Sequence, residues 1–193
     1  EVGDDLRHGL LVSVLDDLLA NAQNEITVCY RAGTPQTRGS EGQLSYCSFR
    51  QDLLHYSLEN ETLFSELLRV VHPDVIHIWG TEYPSALAMV RAAEREQMLD
   101  RVAVSIQGLC SVYAWHYEAG LPAQVVKAHT LRDWLRRDNI DRQREKFGVR
   151  GAYEVAALQK VKHVVGRTRW DQACARQINP NMEYHFCNET LRE

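Results

Sequence analysis

Short apolar runs that alternate with helical patterns constrain this chain most. The runs fall at 74–79, 102–106 (Val-Ala-Val-Ser-Ile) and 162–166. Each has strand length, and helix-type periodicity follows at 84–98, 123–147 with 150–161, and 168–177. Strands separated by helices predict an α/β fold: a Rossmann-like, doubly wound, mostly parallel sheet with helices on both faces. The run Val75–Ile78 reads as apolar without alternation, which predicts a strand covered on both sides. Upstream, Leu11, Val14, Leu15 and Leu18 mark one face of a helix over 6–20. Strands are expected at 25–30 and 44–49, with a Gly/Pro/Ser-rich loop at 33–42 between them. A helix over 58–71 turns Leu63, Phe64, Leu67, Leu68 and Val71 inward and stops before Pro73. A loop is expected at 107–122 and a last short strand at 183–187.

The chain of 193 residues suits one domain, read here as 1–193. Apolar residues make up 45% and charged residues 25%, which fits a soluble globular protein. A net charge of -4 gives no case for nucleic-acid binding. No apolar stretch reaches the ~20 residues that span a bilayer. Five cysteines at 29, 47, 110, 174 and 187 show no metal-ligand spacing and read as reduced thiols, which points to the cytoplasm. Two Asn-x-Thr sequons, at Asn60 and Asn188, point the other way.

Three of the expected strands end in polar or glycine residues: Trp79-Gly80-Thr81-Glu82, Gln107-Gly108 and Gly166-Arg167-Thr168. Ligands of parallel sheets gather at the carboxyl ends of the strands, so a cleft along that edge is expected. Each residue also has a plainer role. Glu82 can favour the start of the next helix through its dipole. Thr168 can be an N-cap. His77, inside its strand, reads as a core histidine with its hydrogen bonds met. Arg167 stands just before a helix N-terminus, where a cation opposes the dipole, and so calls for an anionic ligand or a carboxylate partner. Tyr113, Trp115, His116 and Tyr117 crowd five positions, and aromatic faces stack on sugars or on one another. Residues 127–150 hold eight Lys/Arg against four Asp/Glu beside Leu131, Trp134 and Leu135. Such a segment is either a solvated helical face or a grip on an anionic membrane surface. No Gly-x-Gly-x-x-Gly follows a strand, and no Walker loop or Gly-x-Ser-x-Gly elbow occurs.

The segments "PDVIHIWGTEYP", "VSIQGLCSVY", "VVGRTRWDQACARQINP" and "YHFCNETLR" together resemble the N-terminal half of a bacterial glycosyltransferase of the GT-B fold, from retaining family 4 (group 1). The resemblance implies two Rossmann-like domains, of which this chain is the acceptor-binding one. The donor-binding domain, with its Glu-x7-Glu pair, would lie outside it. It implies transfer of a sugar from a nucleotide-sugar to a glycan or lipid-linked acceptor, with retention, without metal or other cofactor, in the cytoplasm or at the inner face of the cell membrane. Carried over by position, Glu82 and Gln107 are the catalytic candidates. Gly80, Thr81, Gly108, Tyr113, Arg167 and Thr168 would bind substrate, with His8 and Gly9 near the donor phosphates. Many relatives carry histidine where Gln107 stands. Glutamine hydrogen-bonds a sugar or an oxyanion but does not shuttle a proton. A sugar- or nucleotide-binding module without catalysis is the alternative, and a flavodoxin-like domain is a further one.

Overall fold

The structure is a computed structural model that describes residues 11–33, 37–128, 130–136 and 139–188. Residue contacts group the chain into two compact units. One comprises the chain up to Gln51 together with the residues from Cys187. The other is Asp52–Phe186.

The first unit holds helix α1 (Leu11–Leu19) and strands β1 (Ile26–Arg31), β2 (Arg38–Glu41) and β3 (Leu44–Phe49). β3 lies in the middle, parallel to β1 and antiparallel to β2. The expected loop over 33–42 therefore contains a strand. Gly42, at φ +59°, opens a two-residue turn that folds β2 back on β3. The polar sequence of β2 hides it, because its residues are mostly exposed.

The second unit carries the helix α2 (Leu58–Val71), strand β4 (Ile76–Trp79), helix α3 (Pro84–Arg95), strand β5 (Val102–Ser105), helices α4 (Cys110–His116), α5 (Ala123–Val126), α6 (Leu131–Arg136) and α7 (Ile140–Leu158), strand β6 (His163–Gly166), helix α8 (Arg169–Ile178) and strand β7 (Glu183–Phe186). Its sheet runs β4-β5-β6-β7, all parallel, and is flanked by helices. The α/β, Rossmann-like architecture read from the alternation of runs is present. The four strands follow the chain in one direction, so the reversal of a doubly wound sheet does not fall among them.

Local chemistry sets the helix ends. Ser57 caps α2 by accepting from the Asn60 N–H at 3.1 Å. The helix stops at His72, whose left-handed backbone (φ +47°) lets its N–H return to the Leu68 carbonyl. The stop thus precedes Pro73 by one residue. Leu63, Phe64 and Leu68 face inward as expected, but Val71 is exposed. Asn60 is buried in the first turn, which hides that sequon. Pro84 starts α3, and small residues such as Ala88, Ala92 and Ala93 let it sit between α2 and α7.

Side chains alternate along the strands. Ile76, Ile78, Val102, Val104 and Val164 are buried on one side of the sheet. His77 points to the other side and is exposed, bonded to the Ser105 hydroxyl at 2.7 Å and 4.7 Å from the Trp79 ring. Val75 is 67% exposed and precedes the strand. The run Val75–Ile78 is therefore not covered on both sides, and His77 is an exposed residue hydrogen-bonded to Ser105.

Candidate functional site

The parallel register brings the ends of β4, β5 and β6 to one edge. Trp79 pairs with Ser105, and Ser105 with Val165. Just beyond, the Gly80 N–H donates to the Ser105 carbonyl and the Ile106 N–H to the Val165 carbonyl, each at 2.8 Å. Gly80, Gln107 and Arg167 thus leave the sheet side by side, as the sequence predicts.

Glycines make room at this edge. Gly80 has φ +81°, a conformation that side chains disfavour. A Cβ there would lie 3.5 Å from Gln107 Cγ and would collide with the Glu82 carboxylate. At Gly108 a Cβ would lie 3.3 Å from both Glu82 Oε1 and the Tyr113 hydroxyl oxygen. Glu82, Gln107 and Tyr113 therefore converge on two glycines from three elements. Burial raises the Glu82 pKa above the ordinary glutamate value, and the negative charge of Glu154 adds to the rise. Its own N–H, that of Thr81 and the Arg150 guanidinium act in the opposite direction.

Glu154, on α7, escapes the sequence reading. It is fully buried and holds the edge from behind. Its Oε2 accepts from the Cys110 N–H at 2.9 Å and the Thr81 hydroxyl at 3.1 Å. Its Oε1 accepts from the Ser111 N–H at 3.0 Å and from the Ser111 hydroxyl. Burial pushes its pKa up, while these four donors hold it down. The two N–H groups can only donate, so each carboxyl oxygen has one partner that requires an acceptor. The only signal in the sequence is a glutamate amid apolar residues of a helix.

This carboxylate also explains a helix where a loop is expected. No local side chain caps α4. Its first N–H groups are met by Glu154, more than forty residues away, so no nearby capping signal exists. A helix break near 147–150 is expected as well, yet α7 runs through Gly148 and Gly151. A Cβ on Gly151 would stand 2.6 Å from Ser111 Cα, so this glycine permits close packing of α4 on α7. Arg150 covers Phe147 and Tyr83, with ring centroids 4.5 and 5.7 Å from its guanidinium carbon. Its Nε is buried with no hydrogen-bond partner among the described residues.

Other expected site residues have different roles. Thr81 is fully buried and its hydroxyl is spent on Glu154, so it supports the edge instead of facing a ligand. Thr168 is the N-cap of α8 in a reciprocal capping box with Asp171. Arg167 is half-buried at the edge, its N–H donating to Asp171 at 3.0 Å. His8 and Gly9 lie outside the described residues. The aromatic cluster splits: Tyr113 and Tyr117 pack on Phe147, whereas Trp115 is 88% exposed. In the basic segment, Leu131 and Leu135 are exposed, and Trp134's side chain lies outside the described residues. No described helix is long and apolar enough to cross a membrane. All five cysteines are free thiols.

No protein-family model, curated protein or solved structure matches this chain significantly.

Proposed function

We propose that the edge formed by Gly80, Glu82, Gln107, Gly108 and Tyr113 is the acceptor-side half of a sugar-transfer site. The full enzyme would move a sugar from a nucleotide-sugar to a glycan or lipid-linked acceptor, with retention and without a metal. The observation that carries the reading is the convergence of Glu82 and Gln107 on Gly80 at adjacent strand ends. A half-buried carboxylate can orient or deprotonate a sugar hydroxyl, and an amide can bind one. Exposed Trp115 and Tyr113 offer stacking surface nearby. The basic segment with exposed Leu131 and Leu135 would suit an acceptor held at an anionic surface.

Glu82→Gln separates binding from stability. A folded pKa above the unfolded one means that ionising Glu82 costs stability as pH rises through it. The variant should match wild type at pH 4 and melt higher at pH 8. It should also lose at least about tenfold in affinity for a sugar acceptor, since a neutral amide replaces the charged acceptor group. Calorimetry across short glycans, lipid-linked sugars and nucleotide-sugars checks this. Unchanged binding in both Glu82→Gln and Gln107→Ala would remove the reading. The chain by itself should transfer no sugar, because one half-cleft cannot hold donor and acceptor together. Turnover of a nucleotide-sugar by the purified 193-residue chain would contradict that.

A further inference from the structure

Three side chains of metal-ligand type meet on β6 and β7 of the same sheet. Glu183 and His185 are two apart on β7 and so share a face. His163 on β6 is the register partner of Glu183. Its Nδ1 lies 3.1 Å from His185 Nε2 and 3.5 Å from Glu183 Oε2. One ligand atom from each of the three falls within 4.8 Å of the other two. These residues lie on β6 and β7, whereas the candidate sugar site is built at the ends of β4 and β5.

We propose that His163, Glu183 and His185 form a binding site for a zinc-class divalent ion. Zinc bonds imidazole nitrogen and carboxylate oxygen at about 2.0–2.2 Å, so tetrahedral ligands stand about 3.3 Å apart. The two measured separations bracket that value. Two imidazoles with one carboxylate are a donor set suited to borderline ions and poorly suited to calcium or magnesium. Lys162 pairs with Glu183 Oε1 at 3.0 Å, which leaves Oε2 turned toward His163. That lysine orients the carboxylate as an outer partner would. The site is open to solvent, so water completes the coordination. An ion here cross-links β7 to β6. The sequence hides the trio, because the conspicuous pattern is only Glu-x-His and the third ligand is twenty residues away. The inference does not depend on the sugar-transfer reading, and the ion takes no part in that chemistry.

Zinc titration of the whole chain by calorimetry, with cobalt absorption as a second probe, tests the site. One equivalent should bind with micromolar or tighter affinity and raise the melting temperature. His185→Ala and the His163→Ala/His185→Ala pair should weaken binding at least a hundredfold, while His116→Ala, on the distant α4, should leave it unchanged. Should the double variant fold poorly, ring-nitrogen NMR shifts of the wild type decide the matter: both histidines should move with one equivalent of zinc. Zinc uptake that survives in the folded double variant, the absence of micromolar binding by wild type, or histidine shifts confined to other residues would each overturn the proposal.

Discussion

Glu154→Ala is expected to lower the stability of the unit Asp52–Phe186 by about 3–5 kcal/mol, the loss that four stranded, partly rehydrated donors imply. The loss is not that of one ion pair. It leaves the N–H groups of Cys110 and Ser111 and the hydroxyls of Thr81 and Ser111 without their acceptor inside the protein. Each stranded group costs about 1–3 kcal/mol, less whatever water recovers. Glu154→Gln should fall between, since its NH2 would face a donor. For a unit of this size about 4 kcal/mol moves the melting temperature by roughly 15 °C. Thermal unfolding of the two variants checks the order. A Glu154→Ala protein as stable as wild type would mean that the four bonds carry no net weight.

Gly151→Ala is expected to destabilise despite placing a better helix former in α7. Alanine returns about 1 kcal/mol of helix propensity. Against this, the new methyl would sit 2.6 Å from Ser111 Cα and 2.7 Å from its nitrogen, which are backbone atoms with no rotamer to change. α4 must back away, and the bonds from Ser111 to Glu154 stretch with it. Overpacking of this kind costs about 3 kcal/mol, for a net loss of about 2 kcal/mol. The diagnostic readout is amide exchange at Cys110 and Ser111, which should speed up more than exchange in β4. Gly148→Ala is the control, because a Cβ there meets nothing within 4 Å and only the propensity gain remains.

These two residues also mark where sequence reading stops. Most strands and the helices α2, α3 and α8 were legible because their signals are local: apolar runs of strand length, helical periodicity, and a threonine where α8 begins. The polar ends of β4, β5 and β6 were legible for the same reason, and the parallel sheet then places them together. What the periodicity could not convey is which polar residue answers which. Thr81 looks like a ligand-facing hydroxyl in the run Gly80-Thr81-Glu82, yet its partner is on α7. The helix α4 looks like a loop because its cap comes from a distant segment. His77 looks like core because its neighbours in the run are apolar, although it points to the open face. The strand β2 stayed hidden because polar edge strands carry no hydrophobic alternation.

The long reach of Glu154 has a consequence for synthesis on the ribosome. A nascent chain that has extended only as far as α6 already contains β4, β5 and every residue of the candidate sugar edge. It still lacks the acceptor for the N–H groups that begin α4. Contacts of such separation form late, after the loop between them has closed. The edge that holds Glu82 and Gln107 therefore cannot set until α7 emerges, although all of its own residues have been made well before.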